Sequence, residues 1–557
     1  MGLVPVLQNQ GQEQITGTIP FIPKYFLFRL MAASATALTR LDPLDHSEEE
    51  FGFTIYPNAC FKVARETVSL ADDSPAALQQ HYIKLSSNDP RLQLESMISL
   101  RQVVSYDSDS ISKLLELSEL IPFLLRFMND DVSDDRALEA SYLLGCLCSG
   151  NIYLCGGRIA VIDAGGIDVL IGILRGLTNE DQVVLTNQVI CILGNIACDQ
   201  RQKRRKHMRI KLADLLIEKG LVDLLSFQLN QMGFLRTSIP SLKIYIWCLA
   251  NLIQSASKHS MGREGSQFNP ACTESLSRAI SPLIACFTSA SDEELLIDTS
   301  RALADLCIWS SDELFDILAS QMSVLTSVLV RLLQSFASKH GIVTCCLQII
   351  DALVERGAAE ERITELVQAG LLPLLLHHLA SCQVNRRSIL GALQCIIQNS
   401  QSRVQLLMES AGFDTLMKQL ECGPEDDTEA ARVLLLLFHA ASATQLQMAL
   451  QRGVLNQLFQ FFLESHYFDG RTHLFKEQLE IILKLVDQKL VDDIPKQRLA
   501  NLLARYKPRC RHRTSTASLF NELENRLQLA HLMPSVDERD LSSDSSGSGS
   551  SVDGADY

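Results

Sequence analysis

Cys191, Asn195 and Asp199 fall four apart in the stretch QVICILGNIACD, residues 188–199. A helix through this stretch carries the three in one row and turns Val189, Ile192, Leu193, Ile196 and Ala197, spaced three and four apart, to another side. A thiol, an amide and a carboxylate in one row can make hydrogen bonds and hold a positive charge, so this row is where function is expected. The rest of the chain offers no catalytic centre. It has no Gly-rich phosphate loop ahead of a helix, no nucleophile elbow and no HExxH pair. His377 and His378 are adjacent in an amphipathic run, where neighbouring side chains cannot face one ligand. Cys510 and His512 lie in a basic turn that reads as surface. The expectation is a binding protein and not an enzyme, with no catalytic or metal-ligating residue and no cofactor.

A repeat is what would position such a row. From about Pro90 a landmark recurs in which a helix end and a glycine, or its substitute, precede a short amphipathic helix: SELIPFLLRFM from Ser118, AGGIDVLIGIL from Ala164, KGLVDLLSFQL from Lys219, RAISPLIACF from Arg278, SQMSVLTSVLVRLL from Ser320, AGLLPLLLHHL from Ala369, SAGFDTLMKQL from Ser410 and RGVLNQLFQFF from Arg452. Glycine suits that place because a left-handed helix cap tolerates no Cβ. Each landmark has a helix before it and a longer amphipathic helix after it, giving three helices per unit. Such a unit cannot bury its apolar faces alone, so neighbours must stack into one continuous core with the long third helices along one wall. The expected fold is all-α, an armadillo-type right-handed superhelical solenoid of about eight three-helix repeats over residues 90–505. Heat-type repeats, with two helices per unit, are the structural alternative.

The flanks read differently. Residues 1–89 are expected to be poorly ordered, with disorder to about Ser74. Within them PFIPKYFLFRLMAASATA, residues 20–37, has the look of a targeting segment, an interfacial helix or sequence upstream of a start at Met31. Residues 506–557 form a C-terminal segment ending in the Ser- and Asp-rich stretch ERDLSSDSSGSGSSVDGADY, which has almost nothing apolar to bury.

Composition agrees with stacked helices. Aromatic residues are 6% of the 557, while a formal charge of -15 argues against a nucleic-acid-binding surface over the whole molecule and suits a basic partner. The 16 cysteines show no metal-ligand spacing; those in apolar runs, including Cys146, Cys191, Cys248, Cys307 and Cys395, read as small core residues of a reducing compartment. No uninterrupted apolar run of about 18 residues occurs, so no membrane span is expected.

Read at the third helix, LEASYLLGCLCSGN (138–151), QVICILGNIACD (188–199), IYIWCLANLIQ (244–254), DTSRALADL (298–306) and VTCCLQIIDALVERG (343–357) resemble successive repeats of the importin alpha family, over about residues 90–490. That family binds nuclear localisation signals on a ladder of Trp and Asn four apart: the amides grip the peptide backbone and the rings form slots for lysine stems. The resemblance implies one intact rung, Trp247 with Asn251. It places Asn195 opposite Cys191, puts Tyr142 where a Trp is usual opposite Cys146, and gives Asp199 the role of receiving a lysine in a pocket completed by Ser149 and Gly150. Later rungs depart from the pattern (Arg301 and Asp305, Gln348 and Ala352, Gly391 and Cys395, Arg432 and Leu436), although Glu429 matches an acid of a second, weaker site.

The implied function is a divergent importin-alpha-like adaptor of cytoplasm and nucleus that binds basic peptide segments of cargo proteins. Engagement of importin beta stays open, because the family's basic amino-terminal arm has no counterpart in residues 1–90. The one strong basic run, RQKRRKHMRIK from Arg201 to Lys211, is either a localisation signal or a solvated surface. The lost rungs and missing arm favour a second reading, an armadillo scaffold that assembles proteins without binding such signals. A third is an organellar protein addressed by residues 1–40.

Overall fold

The computed structural model describes residues 74–527 apart from 107, 118, 131–134, 150–155, 178–181, 199–211, 237–238, 259–269, 357–359, 382–384, 399, 411, 421–427, 465–471, 489, 491–494 and 507–513. Among the described residues all regular secondary structure is helical. The expected landmarks explain how. At Gly165, Gly220, Gly370 and Gly453 the backbone has φ of 73°, 86°, 90° and 78°, where a Cβ would be strained, and there the short first helix of a repeat ends and the second begins. Glu360–Gln368 turns by 69° into Leu371–Ser381 in this way. Asp312–Ala319 turns by 71° into Met322–Ser335 without a glycine, passing through Gln321 at φ -98°.

Two landmarks differ from expectation. Gly412 has φ -81°, so its missing Cβ serves close approach: a Cβ there would lie 2.4 Å from the Cβ of Leu376. At the Arg278 landmark there is no break, and the helix Pro270–Ser289 runs through with Pro282 inside it. Helical structure also extends past 90–505 on both sides, because Pro75–Leu85 packs on Pro90–Tyr106 and Thr514–Leu527 packs on Thr472–Asp487.

The described residues form two compact units, one up to residue 258 with 270–279, the other from residue 280 onward. In the first, the third helices Pro90–Tyr106, Asp135–Ser149, Val183–Ala197 and Ile239–Lys258 each pack on the next. In the second, Glu293–Trp309, His340–Glu355, Arg386–Ile397, Thr428–Ala440, Thr472–Asp487 and Thr514–Leu527 do the same. Burial of leucine, isoleucine and valine on two sides of each third helix is the main stabilising term.

Cations then tie repeat to repeat by taking the orphan carbonyls at helix ends. Arg158 Nε donates to Cys148 O at 2.6 Å, Arg356 Nη1 to Cys307 O at 3.1 Å, Arg403 Nη1 to Ile396 O at 2.8 Å, and Lys484 Nζ to Phe438 O at 2.9 Å. Tyr506 closes the series, its hydroxyl donating to Phe462 O at 2.5 Å. No single described helix is long and apolar enough to cross a membrane.

Candidate functional site

The wall of third helices in the first unit carries Cys191 and Asn195. On Val183–Ala197 every residue from Leu185 to Ala197 is buried except Gln188 and Cys191, which are half-buried, so Gln188, Cys191 and Asn195 mark one edge of the helix. Asn195 is only 5% exposed, and its Oδ1 has no hydrogen-bond partner among the described residues. A buried amide oxygen left in that state costs about 1 to 3 kcal/mol. On Asp135–Ser149, Tyr142 is half-buried and Ser149 is buried, its hydroxyl donating to Cys146 O at 3.0 Å across the last turn. Gly150 and Asp199 lie outside the described residues, as do the basic run and Cys510 with His512.

The Ile239–Lys258 helix brings Trp247 against Gly194, the neighbour of Asn195, and carries Asn251 one turn further on. A Cβ added at Gly194 would lie 2.4 Å from Cζ3 of Trp247, so the glycine next to Asn195 is what lets the ring lie on the neighbouring helix. Two side-chain bonds fasten the same pair of helices, Asn187 Nδ2 to Ser241 Oγ at 2.9 Å and Ser255 Oγ to Ala197 O at 2.7 Å. Trp247 and Asn251 are both 0% exposed. The resemblance implies a ring standing open on the wall; here the indole is packed between helices, and its truncation becomes a core substitution.

The cysteines divide in the same way. Burial pushes the Cys248 thiol well up, with Cys191 and Cys198 close enough to add to the effect, and Cys148 and Cys307 are pushed up to about 12. These are inert thiols. Cys191 and Cys395, expected in the core, are half-buried at the edge of their helices.

Solved structures with this arrangement exist. An engineered protein matches 82% of the chain and 99% of its own length at 17% identity with a TM-score of 0.60, and a structure described for a phosphorylation switch controlling the interaction between cadherin and beta-catenin matches 90% and 94% at 16% identity with a TM-score of 0.61. The fold is an armadillo-type solenoid. In sequence this armadillo-repeat chain is similar to importin subunit alpha-6 of Arabidopsis thaliana, 24% identical over 229 residues that cover 41% of the chain and 36% of that relative. It is likewise similar to importin subunit alpha-5 of the same organism, 24% identical over 228 residues that cover 41% and 38%. The matched stretch thus spans little more than a third of either relative. No protein-family model matches the chain.

In the second armadillo unit the corresponding wall positions are paired among themselves. Arg301 Nη2 donates to Asp298 at 2.9 Å, Thr344 Oγ1 to Asn385 Oδ1 at 2.7 Å, and Gln394 Nε2 to the Glu429 carboxylate at 2.7 Å, with Arg432 3.5 Å from that carboxylate. Burial, followed by the nearby Glu355, pushes Asp351 up to about 6, and Gly391 makes room for it, since a Cβ there would stand 3.0 Å from Oδ1. Glu429 is therefore a half-buried acid with two partners of its own, in a different unit from the other candidate residues.

Sequence reasoning passed over Arg101, Glu139 and Gly194. Arg101, on Pro90–Tyr106, places its Cζ 5.6 Å from the ring centroid of Tyr142 and pairs with Glu139 at 2.8 Å. The signal was a separation of 38 residues between Arg101 and Glu139, close to one repeat, which puts an opposite charge at a matching place on consecutive third helices.

Proposed function

We propose that this protein is a protein-binding adaptor whose first armadillo unit receives an extended, basic segment of a partner along its third-helix wall, in the manner of an importin-alpha-like cargo adaptor acting between cytoplasm and nucleus. The observation that carries the reading is Asn195, a residue 5% exposed whose Oδ1 is buried without a hydrogen-bond partner among the described residues, on the edge of the helix that also bears the half-buried Gln188 and Cys191. A peptide N–H arriving there satisfies it, and unpaired main-chain groups are what an extended segment brings. The sequence similarity to two importin alpha subunits supports the basic character of that segment.

Asp199 receives a lysine in this reading, with Ser149 and Gly150 closing the pocket. Asp199→Lys should weaken a Lys-rich nuclear localisation peptide by at least about tenfold, or about 1.4 kcal/mol. Fluorescence anisotropy at physiological salt measures it. Binding that survives the reversal favours the second reading, a scaffold that assembles other proteins without recognising basic signals. That reading draws on a specific observation: Trp247 is fully buried against Gly194 and offers no open slot.

A further inference from the structure

Between the first two long helices of the wall stands a three-residue arrangement that the proposed function does not use. Arg101 Nε donates to Glu139 Oε2 at 2.8 Å and Nη2 to Oε1 at 3.3 Å, the side-by-side pairing that suits a guanidinium and a carboxylate. The same guanidinium carbon is 5.6 Å from the Tyr142 ring centroid, within the range where a ring face attracts a cation. Glu139 and Tyr142 are three apart on Asp135–Ser149 and so share a face. The Arg101 and Glu139 side chains are 25% and 18% exposed, enough for a partner to meet them and too little for solvent to screen them fully. Arg136, on the same helix as Glu139 and Tyr142, is engaged elsewhere. Arg136 Nη1 donates to Gln93 Oε1 at 2.7 Å and its guanidinium stands 5.8 Å from the Phe127 ring centroid.

We infer that Arg101 is a specificity-determining residue that fills the Tyr142 position with the chain's own cation, so that a basic partner segment is read from Asn195 onward and gains nothing by extending to Tyr142. The inference rests on the proposed binding of a basic segment to this wall. An incoming lysine at Tyr142 has to displace a guanidinium from both a ring and a carboxylate, and the resident group, being part of the chain, gives up no translational freedom to stay. With Arg101 removed, the Glu139 carboxylate loses its resident cation and can pair with that lysine beside the Tyr142 ring.

The test uses the full chain and three kinds of fluorescent Lys-rich peptide: a short one, and versions lengthened by lysines at the amino or the carboxyl end. Wild type should bind all three within about twofold of one another. Arg101→Ala and Arg101→Gln should each bind one lengthened peptide about fivefold to tenfold tighter than the short one, a gain typical of one partly screened ion pair with a ring contact. Adding Tyr142→Ala to Arg101→Ala should reduce that gain, which a merely structural role for Arg101 would not predict. Comparable far-ultraviolet circular dichroism of the variants guards against a folding effect. A length preference already present in wild type and unchanged in both Arg101 variants overturns the inference while leaving the peptide reading intact. Failure of every protein to bind any of the peptides overturns the peptide reading, and the inference falls with it.

Discussion

The two units are made from one repeat and both pair polar side chains of their third helices, as Asn187 pairs with Ser241 in the first, yet they differ at the position of Asn195. In the second unit those side chains pair with one another: Asp298 with Arg301, Thr344 with Asn385, and Glu429 with both Gln394 and Arg432. In the first, Asn195 keeps an acceptor without a partner among the described residues while the surrounding helix is almost wholly enclosed. Folding of the repeat therefore does not require the ladder residues, since the second unit is built without them. An amide retained where the fold makes no use of its oxygen is better explained by something that binds. Gln478 in the second unit is 0% exposed with neither side-chain polar atom partnered among the described residues, so an unpartnered buried amide alone does not mark a binding position; Asn195 adds its place beside the half-buried Gln188 and Cys191.

The largest expected effect concerns the contact that joins Trp247 to Gly194. Trp247→Ala should lower the stability of the first unit by about 3 to 5 kcal/mol, because a fully buried indole leaves a cavity that its neighbours fill only in part. Denaturant unfolding reports it, and a loss under about 1 kcal/mol would mean that the ring belongs to the surface of the wall. Gln478→Leu comes next and has the opposite sign. Replacing an unpartnered buried amide by an apolar side chain of similar size should raise stability by about 1 kcal/mol, and a fall would show that Gln478 is satisfied in solution.

The smallest effect is a matter of pH. Asp351 is raised from 3.8 to about 6 by burial and then by Glu355, so the folded state binds its proton more tightly than the unfolded state does. Its contribution to stability is fully present below the unfolded value and is lost as pH rises through about 6. Asp351→Asn should therefore raise the melting temperature at about pH 7.5 and change it less at about pH 4.5. Equal shifts at both would assign the effect to packing against Gly391.

How much of this was legible beforehand follows from what periodicity can carry. Spacings of three and four identified the helices, and the recurring glycine identified the repeat. The positive φ at Gly165, Gly220, Gly370 and Gly453 gives that glycine its physical reason. Gly412 looked the same in sequence but serves a close approach to Leu376, which only packing reveals. Asn195 stood out by its spacing from Cys191 and Asp199 along one helix, whereas Tyr142, Trp247 and Asn251 came from the resemblance to importin alpha repeats. Whether a side chain in such a row is open or enclosed depends on the next helix, and so the burial of Trp247 over Gly194 and the seat of Arg101 on Tyr142 had no signature within any one segment. The Arg and Lys residues that cap the preceding repeat escaped notice for the same reason: Arg356 and Lys484 act on carbonyls 49 and 46 residues away.

The central claim is that Asn195 is held for a partner and not for the fold. Asn195→Leu measures it directly when one preparation is used for both thermal unfolding and anisotropy titration of a Lys-rich peptide. A melting temperature unchanged or raised is expected, since the unpartnered oxygen is gone, together with binding weakened by about twofold to tenfold, because the peptide hydrogen bond to Asn195 Oδ1, at about 0.5 to 1.5 kcal/mol, is lost. A lowered melting temperature with peptide affinity unchanged would contradict it and make Asn195 a structural residue of the first unit.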